Sequence, residues 1–196
     1  MKLKTPPGSG TRPTLAKTRA AVINSVQGLL EGARTCDLFA GSGAVGIEAI
    51  SRGAASCVFV EKDPSALSAL TANLAECQRR CATQGLNVPP MPVVRGDVMQ
   101  YLQRSLHDLQ QGSNSQNDSL FDLIWVDPPY AMVAAILPDL LKFAEECLAE
   151  RGLVLLESGS SQADALNFPE HSGLAGLTLK SEKKYGGTFI TTWQKK

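Results

Sequence analysis

Along this chain, short continuous apolar runs alternate with longer stretches in which apolar residues recur every three or four positions. The runs cover 35–39, 57–61, 92–95, 121–126 and 152–157; they are rich in Val, Ile, Leu and Phe and bounded by turn residues. That pattern suits strands buried on both faces. Between them, 44–51, 64–84, 98–110 and 132–149 read as helices. Pro64 stands where a missing N–H does no harm, in a first helical turn, and Leu67, Leu70 and Leu74 follow at helical spacing. Strand–helix–strand repetition implies parallel pairing and a sheet covered on both sides. A further helix, 15–30, precedes the first strand, with Pro13 and Thr14 as its start signal.

The C-terminal pattern is different. Segments 177–184 and 188–194 flank Tyr185-Gly186-Gly187, which reads as a β-hairpin, so the sheet should end in an antiparallel edge. Segment 110–119 is polar and without periodicity, as expected of a flexible surface loop. No repeat or compositional break marks a second domain. The expectation is one three-layer α/β domain over 1–196: a basic segment and helix over 1–33, then a Rossmann-like core over 34–196.

Composition narrows the class. At 196 residues and 43% apolar, the chain can bury an ordinary core, and no apolar run is long enough for a membrane span. The first residues contain no apolar stretch of the secretory type, and the five cysteines are an odd number, so a reducing, cytoplasmic setting is expected. Cys77 and Cys81 share a helix face, but a metal site would need two more ligands, so no metal is expected. The formal net charge of zero hides an asymmetry. Residues 1–36 hold six basic side chains against one acidic, net +5; residues 37–179 hold eight against 17, net −9; residues 180–196 hold five against one, net +4. Basic ends around an acidic middle raise the question of a polyanionic partner; charges scattered over a solvated surface would look the same.

After the first strand comes Asp37-Leu38-Phe39-Ala40-Gly41-Ser42-Gly43-Ala44-Val45-Gly46, a G-x-G-x-x-G match between a strand and a helix. Glycines there let backbone N–H groups approach a ligand, although a ligand-free glycine turn has the same composition. Asp37 ends the first strand, Glu61 the second and Asp97 follows the third, so ligand-side acids recur at successive strand ends, where any single one could equally be a helix N-cap. A pyrophosphate is poorly served by an acid four residues before the loop, which argues against a dinucleotide. S-adenosylmethionine has no phosphate, carries a positive sulfonium and ammonium, and offers ribose hydroxyls to carboxylates. Its own carboxylate could sit on loop and helix N–H groups.

The strand at 121–126 ends in Asp127-Pro128-Pro129-Tyr130. Asp127 could accept one N–H of a planar exocyclic amino group and favour the positive charge that develops on nitrogen as it is methylated. The Pro128 carbonyl could accept the second N–H, and Tyr130 could stack on an extruded base. Asp-Pro-Pro by itself also simply ends a strand.

These motifs, in this order, resemble class I S-adenosylmethionine-dependent methyltransferases that act on amino groups. Arg12-Pro13-Thr14, Arg19 and Asn24, with DLFAGSGAVGIEAISRGAASCVFVEKD, VDPPY and the Tyr185-Gly186-Gly187-Thr188 hairpin, are more specifically similar to the bacterial RsmD family, over about residues 12–194. The resemblance implies a mostly parallel seven-stranded sheet and methyl transfer to a guanine N2 of 16S ribosomal RNA, free or within a small-subunit ribonucleoprotein, by a protein more often monomeric. It implies S-adenosylmethionine at Asp37, Phe39, Ala40, Gly41, Gly43, Glu61 and Asp97. Asp127, Pro128 and Tyr130 would be catalytic, and Arg12, Thr14, Arg19 and Asn24 would bind substrate. Ala20 departs from the acid usual there, and the 110–119 loop is long for the family. Other acceptors with related chemistry are DNA adenine N6 and protein glutamine; a non-catalytic nucleotide-binding module and a dinucleotide oxidoreductase are readings of other classes.

Overall fold

The computed structural model describes residues 3–5, 13–111, 120–161 and 176–196, with the backbone alone for 13–18. By its internal contacts the chain divides into two compact units, Met1–Asp97 and Val98–Lys196.

In the first unit, α1 (Pro13–Ser25) and a 3₁₀ turn (Gln27–Leu29) lead into β1 (Arg34–Leu38), α2 (Ala44–Ser51), β2 (Ser56–Glu61), α3 (Pro64–Thr83) and β3 (Val93–Arg95). The strands lie in the order β3-β2-β1 and all pair parallel, with Arg34 opposite Ser56, Leu38 opposite Val60, and Phe59 opposite Val93. Burial explains the continuous apolar runs: Cys36, Asp37 and Leu38 on β1 and Phe59, Val60 and Glu61 on β2 are buried on consecutive positions. α3 starts where the Asp63 carboxylate accepts from the Ser65 and Ala66 N–H groups at 3.0 and 2.8 Å, with Pro64 in its first turn. Its buried stripe is Ala66, Ala69, Leu70, Leu74 and Cys77, with one polar member, Asn73. A flank of the stripe carries Glu76 between Arg79 and Arg80, and these two guanidiniums hold the Glu76 carboxyl down to about 2.

The second unit contains α4 (Val98–Gln110), β4 (Phe121–Val126), a 3₁₀ turn (Tyr130–Met132), α5 (Val133–Cys147), β5 (Leu148–Ser158), β6 (Leu177–Tyr185) and β7 (Thr188–Lys195). The order is β4-β5-β7-β6; β4 and β5 are parallel, while β7 runs antiparallel to β5 and β6. Phe143, fully buried on α5, meets Tyr101 edge-on at 5.8 Å and Phe121 at 6.3 Å, which ties α4, α5 and β4 to one apolar centre. The seven strands form a mixed, mostly parallel sheet with an antiparallel C-terminal hairpin, a Rossmann-like α/β fold as the sequence implies.

Two element bounds differ from the sequence reading by four or more residues, for physical reasons. The helix expected to run to residue 30 stops at Ser25, whose hydroxyl donates back to the Val22 carbonyl at 2.7 Å, and Gly28 sits in the 3₁₀ turn that follows. β5 begins at Leu148 rather than 152: Phe121 pairs with Leu148 but Leu123 with Leu153, so β5 bulges, and Arg151 takes a left-handed φ of 64° in the bulge. The 110–119 loop lies, apart from its first two residues, outside the described residues. Among the described residues, no helix is long and apolar enough to cross a membrane, and no group of three or more His, Cys, Asp and Glu could hold a metal ion.

Candidate functional site

The glycine loop leaves β1 through a tightly specified path. Phe39, Gly41 and Gly43 all take left-handed φ values, 62°, 56° and 76°. In a residue as large as Phe39 this conformation is strained, and such strain persists only where the surroundings fix it. The surroundings here are hydrogen bonds: Ala40 N–H donates to the Val60 carbonyl at 3.0 Å and Gly43 N–H to the Ala40 carbonyl at 2.7 Å.

The three glycines of the motif serve different ends. A Cβ on Gly46 would stand 2.4 Å from the Phe59 ring and 2.5 Å from Cys57 Sγ, so Gly46 lets α2 lie against β2. A Cβ on Gly43 would meet Leu70 Cδ1 at 2.4 Å, a packing demand added to its φ. A Cβ on Gly41 would meet nothing within 4 Å; its left-handed φ favours glycine, and the side where a side chain would stand is open.

Two acids hold the loop. Asp37 is 2% exposed, and its Oδ2 accepts from Gly46 N–H at 3.0 Å. Gly43, at the N-cap of α2, has no side chain to cap with, so Asp37 satisfies a first-turn donor from the preceding strand and places its charge at the positive end of the helix. The same charge, after burial itself, helps raise the Cys57 thiol well above its ordinary range, so that cysteine stays protonated. Glu61 is also buried. Its Oε2 accepts from Gly41 N–H at 2.8 Å, and its Oε1 from Lys62 and Asp63 N–H, each at 2.8 Å. Two carboxylate oxygens offer about four acceptor positions, so these three bonds leave Oε2 with capacity for one more donor. Asp97 accepts from Lys62 Nζ at 2.9 Å, and this contact raises the lysine's pKa.

Asn73, which the sequence reading passed over, braces the loop from behind. It is 2% exposed; its amide donates to the Ser42 and Lys4 carbonyls, both at 2.9 Å, and its Oδ1 accepts from Lys4 N–H at 2.8 Å. It thereby joins α3, the loop and residues 3–5.

Of the expected substrate residues, Arg12 and the side chain of Thr14 lie outside the described residues. Arg19 is half-buried on α1. Asn24 is exposed, with its Oδ1 accepting from Arg52 at 2.6 Å; Arg52 also reaches Gln27 and pairs with Glu48, so Asn24 belongs to a polar tie between α1 and α2.

In the second unit, Asp127 follows β4 directly. The residue is open to solvent at the strand end, yet surrounding chain holds water off the carboxyl, and that desolvation pushes its pKa up to about 6. Pro128 is buried and Pro129 exposed; Pro129's carbonyl accepts from Met132 N–H at 2.7 Å and starts the turn that carries Tyr130. Tyr130 is 48% exposed and is held at two points: its hydroxyl is 3.1 Å from Thr188 Oγ1, and its ring lies so close over Gly159 that a Cβ there would stand 2.5 Å from Cδ2. Gly159 and Thr188 are 29 and 58 positions along the chain from Tyr130, and no local pattern announces either.

The geometry amounts to an acid-braced glycine turn with an open side in one unit and, in the other, a desolvated carboxylate followed by a fixed but accessible aromatic ring. Comparison with known proteins agrees. "Putative rRNA methyltransferase YlbH" of Bacillus subtilis (strain 168) is 31% identical over 196 residues, 99% of this chain and 93% of that one. "Ribosomal RNA small subunit methyltransferase D" of Escherichia coli (strain K12) is 30% identical over 159 residues, 80% of this chain and 69% of that one. The solved structure described as "Putative methyltransferase yhhF" from Escherichia coli superposes with a TM-score of 0.71 at 27% identity, covering 100% of this chain and 92% of that one. The family model described as "Conserved hypothetical protein 95" matches residues 1–194. The chain therefore belongs to this family, the RsmD family of S-adenosylmethionine-dependent class I methyltransferases.

Proposed function

We propose that this protein methylates ribosomal RNA, and that its acceptor is the exocyclic N2 amino group of a guanine in 16S rRNA. The observation that carries the reading is the state of Asp127: a carboxylate at the end of β4, kept partly desolvated, followed by an exposed, immobilised tyrosine. The names of the relatives support rRNA as the substrate class.

The first unit suits the cofactor. Glu61 Oε2 has acceptor capacity on the Gly41 side of the loop, which fits a ribose hydroxyl, and Gly41 gives a ligand room to approach. Phe39, Ala40 and Gly43 shape that loop, Asp37 holds it to α2, and Asp97, paired with Lys62, stands at the end of the third strand. S-adenosylmethionine supplies an electrophilic methyl group there.

The second unit suits the acceptor. A guanine N2 is a weak nucleophile because its lone pair is delocalised into the ring. The ionised Asp127 carboxyl accepts one of its N–H groups, stabilises the charge that grows on nitrogen, and, with a pKa about 6, is basic enough to take the proton released. The Pro128 carbonyl takes the other N–H, and the Tyr130 ring stacks on the base. Arg12, Thr14, Arg19 and Asn24 would contribute on the RNA side, and the +5 charge of residues 1–36 favours a polyanion.

The test is transfer of labelled methyl groups to 16S rRNA or assembling small subunits by native and Asp127→Ala protein, with plasmid DNA and a release factor as competing acceptors. Label in rRNA with native protein and at least a hundredfold loss with the variant is expected. Undiminished transfer by the variant removes Asp127 from the chemistry, and label in DNA or the release factor instead replaces the substrate.

A further inference from the structure

The hydroxyl of Tyr130 is anchored to Thr188, and Thr188 opens β7 at the tip of the β6–β7 hairpin. In an antiparallel pair, directly opposed residues stand on the same face of the sheet and successive residues on opposite faces. From Ser181 to Tyr185 the pairing is regular: Ser181 opposes Thr192, Glu182 Thr191, Lys183 Ile190, Lys184 Phe189 and Tyr185 Thr188. Side-chain contacts verify the register. Thr191 Oγ1 donates to Glu182 at 2.8 Å, and Lys184 Nζ lies 5.3 Å from the Phe189 ring centroid. Glu182 and Lys184 therefore share one face. Tyr185, Lys183 and Thr188 share the other, which is the face on which Tyr130 is anchored.

That second face has the composition of a single-strand nucleic-acid platform beside the aromatic ring assigned to the target base. Tyr185 is half-exposed and directly opposite Thr188; Lys183 is exposed one step further along. An acid on the same face, Glu157 of β5, opposes Ile190 two strands from Lys183 and is buried. An aromatic surface with a cation spaced along it suits a base and the phosphate joined to it, because stacking tolerates any base and the cation tracks the backbone.

Resting on the methyltransferase reading above, we infer that the tip of the β6–β7 hairpin is the docking surface for the RNA strand flanking the methylated nucleotide, with Tyr185 stacking on a neighbouring base and Lys183 pairing with its phosphate. Tyr130 and Tyr185 then form one stepped aromatic surface, with Thr188 setting the spacing between them.

The experiment measures affinity for a 16S rRNA transcript across salt concentrations, together with kcat, KM and S-adenosylmethionine affinity, for native protein and for Lys183→Ala, Tyr185→Ala and Lys184→Ala. Lys183→Ala should weaken RNA binding and lower the slope of log affinity against log salt by about 0.7–1, the loss of one phosphate contact. Tyr185→Ala should raise KM for RNA about tenfold or more, with Tyr185→Phe restoring it. Lys184→Ala, on the opposite face, should keep the native slope, and all three should bind S-adenosylmethionine as the native protein does. A native slope in Lys183→Ala, or equal slope losses in Lys183→Ala and Lys184→Ala, overturns the face-specific docking surface. If native protein methylates no rRNA at all, the failure lies with the proposed function, a result separate from native-like RNA kinetics in the variants.

Discussion

Replacing Gly46 or Gly41 by alanine adds the same methyl group to the same motif, with opposite consequences expected. At Gly46 the new Cβ would lie 2.4 Å and 2.7 Å from Phe59 ring atoms and 2.5 Å from Cys57 Sγ, against 3.4–4 Å for ordinary contact. Each neighbour would have to give by roughly 1 Å, yet both are fully buried, so neither has free volume to move into. Overpacking of this kind costs about 1–3 kcal/mol, and the better helix propensity of alanine returns about 0.5–1 kcal/mol. The net loss of roughly 1–2 kcal/mol corresponds to a melting point lower by roughly 2–8 °C in a chain of this length. Cofactor affinity measured on the folded variant should stay within about threefold of native. At Gly41 the new Cβ would meet no atom within 4 Å, so the only cost to the fold is the left-handed backbone, about 1–2 kcal/mol, while the Cβ enters the side left open for the ligand. Gly41→Ala should lose at least about tenfold in S-adenosylmethionine affinity. Thermal unfolding and calorimetric titration of the two variants decide it. A Gly46→Ala protein that melts with the native one refutes the packing argument, and a Gly41→Ala protein with native affinity refutes the assignment of the loop to the ligand.

The remaining predictions concern charge and the loop's support. Because Asp127 must be ionised and its pKa is pushed up from 3.8 to about 6, kcat/KM should fall about tenfold per pH unit below 6 and level off above it; a profile flat down to pH 5 would contradict this. For stability the sign is reversed: a raised carboxyl favours the fold when protonated, a contribution present below about pH 4 and lost as pH rises through 6, so Asp127→Asn should flatten that part of the stability–pH curve. Asn73→Ala removes three part-buried hydrogen bonds, two to Lys4 and one to Ser42; urea unfolding should show a loss of about 1–3 kcal/mol, and a loss under about 0.5 kcal/mol would mean the brace is dispensable. Arg52→Ala and Asn24→Ala should each cost under about 1 kcal/mol and be non-additive, since they break one exposed tie; full additivity would show that the two act separately.

What could be read from sequence was what is local and periodic. The strands around Cys36 and Phe59 are buried on both faces and so carry no polar alternation to confuse, and Pro64 after Asp63 marks the start of α3 within a residue. The loop with Gly41 and Gly43 was equally visible, because left-handed backbone favours glycine, and two glycines two positions apart stand out in the sequence. The roles of the acids were harder to read. Asp37 and Glu61 look alike as strand-end carboxylates, but Asp37 is spent on Gly46 N–H while Glu61 retains an acceptor position, a distinction that rests on side-chain direction. Ala149 closes the helix expected from the pattern and Gly152 opens the expected strand, and only the pairing beside Phe121 makes the stretch from Leu148 part of a bulged strand. Asn73 sits in an apolar helical stripe where a lone polar residue has no local signature, since its partners are 31 and 69 positions away. Thr188 and Gly159 define the position of Tyr130 from equally remote parts of the chain.

The measurement that bears most directly on the account is the map of methylated nucleotides in 16S rRNA from cells with and without this protein, the latter also complemented with the Asp127→Ala form. The account predicts that one N2-methylguanine is present with native protein and absent in both other cases. An unchanged set of N2-methylguanines, or the loss of a methyl from any other position or base, would contradict it.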